Sequence, residues 1–126
     1  MTDRIDRCFF ALSLLFAVAG VVMGIIMGMR EDFSLAPVHA HLNLVGFVTL
    51  ALFGVAYRIG WARKDSWAVT HFAIGAPGAL ILPIGMYLAM TANQPALAIL
   101  GSILSLASLC LFLINCVRAW RDPMPA

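Results

Sequence analysis

Hydrophobic residues are concentrated in four long runs along this chain, and short polar stretches separate the runs. They extend from Cys8 to Met29, from about Pro37 to Tyr57, from Ser66 to Met90 and from Pro95 to Val117. A helix needs about 20 mostly apolar residues to cross the hydrocarbon core of a bilayer, and each run meets that length. The second and fourth runs open with proline, which a first helical turn tolerates, and Ser66 is the expected N-cap of the third. The pattern predicts an all-α integral membrane four-helix bundle in a single domain, residues 1–126.

Composition agrees with a membrane protein and excludes several other classes. Of the 126 residues, 63% are hydrophobic and 11% are charged, and the mean hydropathy is +0.97. A soluble domain is typically about 45–50% apolar and about a quarter charged, so a soluble enzyme and a disordered chain are excluded. The net charge of +2 is too small for a polyanion-binding surface. The lipid bilayer is therefore the expected partner, and nucleic acid is not.

Basic residues are distributed unevenly about the four predicted spans. Seven of the eight fall on one side: Arg4, Arg7, Arg58, Arg63, Lys64, Arg118 and Arg121. Only Arg30 falls on the other side. By the positive-inside rule, this bias predicts that the N and C termini are cytoplasmic. The expected location is a bacterial-type inner (cytoplasmic) membrane, which the chain crosses as a multi-pass protein.

Small residues and prolines inside the spans predict how the helices pack. Two stripes of small residues allow close approach of another helix: Gly20, Gly24 and Gly28 in the first span, and Gly101, Ser105 and Ser108 in the fourth. Two prolines, Pro77 and Pro83, predict a bend in the third span. These features indicate helix packing more often than chemistry, so they identify no function alone.

Histidine is the residue type within the predicted spans that points to chemistry. The spans contain no Asp, Glu, Lys or Arg, which argues against proton-driven transport. His39 and His41 lie at the start of the second span, and His71 lies near the start of the third, which enters from the opposite side. At 1.5 Å per residue and a core about 30 Å thick, His71 is roughly 15–20 Å from the pair. We expect His71 to be an interfacial or hydrogen-bonded structural residue rather than a ligand of the same metal.

The spacing of the pair limits what it can bind. Residues i and i+2 of a regular helix are about 200° apart, so His39 and His41 face nearly opposite directions and cannot chelate one ion. They can serve two different sites on either side of the helix. Two polar side chains reaching toward lipid headgroups would explain the same spacing. The spacing by itself leaves both interpretations open.

The residues around the pair resemble a known family. The sequence from His39 to Phe47, HAHLNLVGF, is similar to the tenth helix of subunit I in the haem-copper oxidase superfamily, which includes cytochrome c oxidases and nitric oxide reductases. That helix carries an H-x-H motif whose histidines ligate two different haem irons. The third span, from Thr70 to Pro83, resembles the family's eleventh helix, whose initial histidine is not a metal ligand. The resemblance covers about residues 37–90.

The resemblance implies non-covalent binding of haem b, with His39 and His41 as iron ligands. Asn43, four residues after His39, is expected to line the pocket, and Gly46 to leave room for the macrocycle or for a close helix. Arg30 is expected either to pair with haem propionates or to be a solvated loop charge. The chain has no further intramembrane histidines for a copper site and lacks the family's proton-channel residues. Copper therefore has no full ligand set, and a complete oxygen-reducing, proton-pumping oxidase is not expected.

The family's architecture also implies an oligomer. Its subunit I has twelve helices in three groups of four, so a four-helix chain would recreate that plan as a homo-oligomer, with a trimer favoured. Each haem would lie between His39 of one chain and His41 of the next. The expected function is electron transfer within this oligomer. Binding or sensing of a diatomic gas by haem, and a haem-free structural or assembly role, are the alternatives.

Overall fold

The computed structural model describes residues 1–121, and four long helices make up most of that range. After a 3-10 turn at Thr2–Arg4, the helices are α1 (Ile5–Arg30), α2 (Ala36–Arg58), α3 (Ser66–Ala92) and α4 (Ala96–Arg121). Each is long and apolar enough to cross a membrane. The described residues contain no β-strand. The prediction of an all-α chain is confirmed, and so is that of four helices long and apolar enough to span a membrane. This architecture is compatible with a multi-pass membrane protein.

Local signals set the helix ends, and one of them was predicted wrongly. Asp65, rather than Ser66, caps α3, because its Oδ1 accepts the backbone N–H of Trp67 at 3.0 Å. Both residue types are good N-caps, and the extended backbone of Asp65 is what decides between them. At the other ends, Glu31 closes α1 and Asn93 closes α3 in the left-handed conformation, with φ of 51° and 54°.

Helix α1 begins earlier than the apolar run that predicts it. The predicted span starts at Cys8, whereas the helix already includes Asp6, whose side chain is buried with the residue only 4% exposed. Lys64 Nζ lies 3.2 Å from Asp6 Oδ2, and Arg58 Nη1 lies 3.6 Å from the same oxygen. A buried carboxylate is tolerated when cations compensate it in this way. The first turn of α1 therefore makes ionic contacts with the last residue of α2 and with the loop that joins α2 and α3.

Helices α1 and α2 pack antiparallel, and the small-residue ridge of α1 lies in their interface. Gly24 faces the ring of His39, and Gly20 faces the side chain of Asn43. A methyl group at Gly24 would lie 3.0 Å from Cε1 of His39. Gly28, one turn further, faces open space. The predicted close approach is thus confirmed at two of the three glycines.

Further along the same interface the glycines are on α2. Phe16 of α1 covers Gly46, and Gly54 lies against the α1 backbone, where an added methyl group would be 2.9 Å from the carbonyl oxygen of Asp6. Glycines of one helix therefore let side chains or backbone of the other helix approach closely at several points along the interface. Gly46 serves close helix packing, which is one of the two roles expected for it.

Helices α3 and α4 form the second antiparallel pair. Gly101 of α4 lies against the backbone of Leu82, and a methyl group at Gly78 of α3 would be 3.0 Å from the backbone nitrogen of Ser105. Apart from this partner helix, α4 makes few contacts with the described helices. The helix α3 continues through both Pro77 and Pro83. The stripe of small residues in the fourth span packs as predicted.

Helix α2 contains a π-helical segment directly after the H-x-H motif. Residues Leu42–Thr49 have the wider turn of i→i+5 hydrogen bonds, and Thr49 Oγ1 donates to the carbonyl of Leu44, five residues back, at 2.7 Å. Segments of this kind are rare and are often found at functional sites. His39 and His41 lie in the preceding α-helical segment, so the regular angle between successive residues applies to them. In residues 42–49 the angle between successive residues around the helix axis is smaller.

The two ends of the bundle differ in charge. At one end the start of α1, the α2–α3 loop and the end of α4 meet, as the Asp6–Lys64 pair and the 2.8 Å contact between Arg118 Nη2 and Asp65 Oδ2 show. We call this the basic end (residues 2–10, 57–71 and 112–121), because it carries the seven basic residues grouped by the sequence. The opposite part of the α1–α2 pair, residues 20–43, is called the H-x-H end.

Candidate functional site

The ring of His39 is directed into the interface between α1 and α2. Its Nδ1 and Nε2 would lie 3.6 and 3.8 Å from a methyl group placed at Gly24, so both nitrogens face α1. Asn43 Nδ2 is 3.4 Å from each ring nitrogen. Because these two distances are equal, the Asn43 amide nitrogen lies over the face of the His39 ring. The lone pairs of the ring nitrogens lie in the plane of the ring, so no directional hydrogen bond forms there. The Asn43 amide donates instead to the His39 carbonyl at 2.9 Å.

His41 has a different environment two residues further on. Its ring is half-buried, and Nδ1 lies 2.8 Å from the carbonyl oxygen of Pro37 in its own helix. Because a carbonyl oxygen can only accept, Nδ1 carries the hydrogen and Nε2 carries the lone pair. Metal-ligating histidines adopt this arrangement, in which one nitrogen donates to a carbonyl and the other coordinates. Nε2 of His41 therefore carries a lone pair, which is the chemical requirement for a nitrogen ligand.

The structure brings together only some of the residues predicted for the site. His39 and Asn43 are in contact, and Phe16 fills the space over Gly46. His41, two residues after His39 in the same α-helical segment, projects from nearly the opposite side of the helix. Arg30 is the exposed last residue of α1. It lies six residues beyond Gly24, which is about 9 Å along the helix axis at the H-x-H end. Among the ion pairs of residues 1–121, none involves Arg30.

His71 lies at the basic end and is fully buried, with 0% of its surface exposed. Asn115 Nδ2 donates to the Tyr57 hydroxyl at 3.0 Å and to the Arg63 carbonyl at 2.9 Å. The Tyr57 hydroxyl is therefore free to donate its own hydrogen to His71 Nδ1, which is 3.0 Å away. This places the His71 hydrogen on Nε2, which has no hydrogen-bond partner within the described part of the chain.

Aromatic rings from three other helices surround His71. The centroid distances to its ring are 4.8 Å for Phe9 of α1, 4.6 Å for Phe53 of α2 and 5.6 Å for Phe112 of α4. Of the two roles expected for His71, the hydrogen-bonded structural one agrees with this geometry, and a position at the lipid headgroups does not. Because Phe9 contacts His71 while Gly24 contacts His39, the two histidines are about 22 Å apart along α1. They cannot share a metal within one chain.

Sequence reasoning missed the polar network that holds the basic end together. Asn115 is the only amide side chain in α4, and it is fully buried. A polar side chain inside a membrane span needs a partner, so this residue could have been singled out from its position alone. Its partner Tyr57 is 58 residues away in the sequence, and no local pattern predicts that contact. Asp6 was missed because it precedes the apolar run.

A small cavity of about 60 Å³ lies between α2, α3 and α4, adjacent to the aromatic residues around His71. Phe53 and Gly75 line it, and so do Ser105 and Ser108. Neither serine hydroxyl has a hydrogen-bond partner among residues 1–121. The cavity is large enough for water, which would satisfy these hydroxyls.

At the H-x-H end, each chain has one imidazole nitrogen of His41 outside the local hydrogen bond, while both ring nitrogens of His39 face α1. Within residues 1–121, no group of three or more His, Cys, Asp and Glu side chains is arranged to hold a metal ion. A haem needs only one or two axial nitrogens from the protein, so this finding about groups of three or more side chains does not bear on haem. Comparisons of the chain with models of protein families, with curated proteins and with solved structures find no match.

Proposed function

We propose that this chain is a membrane protein that binds b-type haem through His39 and His41 and transfers electrons within a homo-oligomer. The observation that carries the proposal is the 2.8 Å contact of His41 Nδ1 with the Pro37 carbonyl, since it leaves the Nε2 lone pair for iron. The resemblance of residues 39–47 to the haem-binding helix of haem-copper oxidases supports the same ligand. Haem bound in this way supplies one-electron redox chemistry within the bilayer.

The second axial ligand in this proposal comes from a neighbouring chain. His39 and His41 project from opposite sides of one helix, so one chain cannot direct both to one iron. In a trimer, His39 of each chain can meet His41 of the next. The His39 ring has to rotate away from Gly24 for this, because both of its nitrogens face α1 in the single chain. The Asn43 amide over the ring would move with it or remain as part of the pocket wall.

The proposed orientation puts the basic end in the cytoplasm and the H-x-H end at the outer face of an inner membrane. The seven-to-one distribution of basic residues supports it. Three tryptophans at the basic end, Trp61, Trp67 and Trp120, are 42–64% exposed, as interfacial anchors are. Arg30 is then the cation nearest the proposed haem propionates. A reporter that is active only in the periplasm should be inactive when fused to the C terminus, and an active fusion would reverse the assignment.

A second candidate function follows from the position of the His39 ring. If His39 stays against α1, His41 is the only ligand and the iron keeps an open position. The chain would then bind or sense a diatomic gas such as carbon monoxide, nitric oxide or oxygen. The two candidates differ in coordination number, which makes them separable by spectroscopy.

An absorption spectrum of the purified protein, expressed with a supply of haem, tests both candidates. A low-spin, six-coordinate spectrum whose reduced form does not change with carbon monoxide is the expected result for electron transfer. A reduced form that binds carbon monoxide indicates the open site of the second candidate. A folded protein without haem contradicts both and leaves the structural or assembly role.

A further inference from the structure

A groove of about 410 Å³ lies between α1 and α2 at the basic end, far from the H-x-H motif. Its walls are apolar and come from both helices: Phe10, Ala11, Leu14, Gly54 and Val55. The three larger side chains are 44–47% exposed, so the groove opens on the outer surface of the bundle. Between Asp6 and Leu14 it extends about 12 Å along α1.

Charged residues close the end of this groove. Arg7 and Arg58 line it together with Asp6. Both arginines are exposed, and 69% of the Arg58 side chain is accessible. Arg58 also lines a second cavity of about 390 Å³, where it is joined by Arg63 and Lys64. The apolar groove therefore ends at Arg58, which also borders a region rich in cations.

The charge balance at this junction favours an anion. Asp6 is the carboxylate that lines the groove, and it already contacts Lys64 at 3.2 Å and Arg58 at 3.6 Å. Arg7, Arg58 and Lys64 are three cations against this one anion. Arg7 makes no ion pair within residues 1–121. These four residues together carry a net charge of about +2 beside the apolar groove.

We infer that this groove is a binding site for an anionic phospholipid. One acyl chain lies in the apolar groove, and the headgroup phosphate contacts Arg7 and Arg58. An apolar groove that ends in more cations than anions matches the amphipathic shape of such a lipid, and basic pockets between membrane helices bind anionic headgroups. The groove lies at the end of the bundle, where headgroups are located. This inference does not depend on haem binding.

Native mass spectrometry of the detergent-purified chain, titrated with phosphatidylglycerol or with phosphatidylcholine of the same acyl chains, tests this site. We expect one tightly retained phosphatidylglycerol per chain and at least fivefold weaker retention of phosphatidylcholine. Arg7→Gln should weaken phosphatidylglycerol binding about fivefold, since a surface cation contributes about a factor of five toward an anionic lipid. Arg7→Lys should restore it, and Arg30→Gln, which removes an exposed cation at the other end, should have no effect. Equal retention of the two lipids, or an unaffected Arg7→Gln variant, would overturn the inference.

A second variant separates a lipid site from a site for free phosphate. Ala11→Phe fills the apolar groove without changing charge, so it should reduce retention of phosphatidylglycerol at least tenfold. Glycerol 3-phosphate, which has the same headgroup phosphate and no acyl chain, should not displace phosphatidylglycerol at millimolar concentration. Displacement by glycerol 3-phosphate together with an unaffected Ala11→Phe variant would identify a free-anion site and contradict the lipid. Circular dichroism of each variant confirms that the helices remain folded.

Discussion

The two ends of the bundle use histidine in opposite ways. At the basic end, His71 is completely buried, accepts a hydrogen bond from Tyr57 and contacts rings from α1, α2 and α4. At the H-x-H end, His41 is half-buried and bonds within its own helix. A histidine held by partners from several helices contributes to stability. A histidine with one local bond has its second ring nitrogen uncommitted, as the proposed haem ligand requires.

The same contrast extends to the contacts around the histidines. At the basic end Asp65 caps α3 and binds Arg118 of α4 at 2.8 Å, and the Arg118 guanidinium lies 5.1 Å from the centre of the Trp67 ring. At the H-x-H end Gly28 faces open space. Stability in a protein is distributed unevenly, and regions that bind ligands often belong to its less stable part. We expect substitutions at the basic end to affect folding and those at the H-x-H end to affect haem.

The largest expected effect is the loss of the low-spin haem spectrum in His41→Ala. This variant removes the nitrogen that the Pro37 carbonyl orients, while a half-buried ring contributes little to folding. We expect the haem content per folded chain to fall below about a tenth, or a five-coordinate form that binds carbon monoxide, with unchanged helicity by circular dichroism. His39→Ala should disturb the same haem if neighbouring chains share it.

Mixed oligomers sharpen this test. When His39→Ala and His41→Ala chains are coexpressed, some neighbouring pairs retain one histidine of each kind, and these should regain the low-spin spectrum. A silent His39→Ala variant, with no recovery on mixing, would contradict the shared site. That result would favour the single-ligand, gas-binding candidate.

The next effect is on stability rather than on haem. His71→Ala should lower the free energy of unfolding by about 3 kcal/mol, because it empties a tightly packed site and leaves the Tyr57 hydroxyl without its acceptor. Denaturant unfolding in detergent measures this change. The haem content of the chains that remain folded should be unchanged, since His71 is about 22 Å from His39. A stable His71→Ala protein that has lost its haem would show that the two ends are coupled.

Tyr57→Phe should have a smaller effect of the same kind. It keeps the ring that stacks on Phe9 at a centroid distance of 5.7 Å but removes the hydroxyl between His71 and Asn115. We expect a loss of about 1–2 kcal/mol in unfolding free energy, because two buried polar groups lose a partner. Phe53→Leu is a control, since it alters the aromatic packing and leaves these hydrogen bonds intact. A Tyr57→Phe protein as stable as the original would mean that water replaces the hydroxyl.

Part of the difference between the basic end and the H-x-H end can be predicted from the sequence alone. Apolar runs predict the four helices, and the i, i+2 spacing predicts that His39 and His41 diverge. The contact of Asn115 with Tyr57 could not be predicted, because it joins residues 58 positions apart and depends on how α2 and α4 pack. The π-helical segment after His41 has no simple sequence signal, so the faces of residues 42–49 could not be assigned from a regular period. The direction of the His39 ring likewise depends on Gly24 of another helix.

The smallest expected effect concerns that ring and is measured by comparing two glycines of α1. Gly24→Ala would place a methyl group 3.0 Å from Cε1 of His39, whereas Gly28→Ala meets no atom within 4 Å. Replacing glycine by alanine stabilises an exposed helix by about 0.5–1 kcal/mol, and this contribution is the same for both variants. A difference in haem affinity between the two variants therefore reports on the contact with His39. The added methyl group should push His39 out of the interface, and we expect haem affinity to rise about two- to fivefold in Gly24→Ala and to stay constant in Gly28→Ala. Haem titration of the apoprotein measures both. If Gly24→Ala instead weakens haem binding while Gly28→Ala does not, His39 acts from its position against α1 and the ring does not rotate to reach a neighbouring chain.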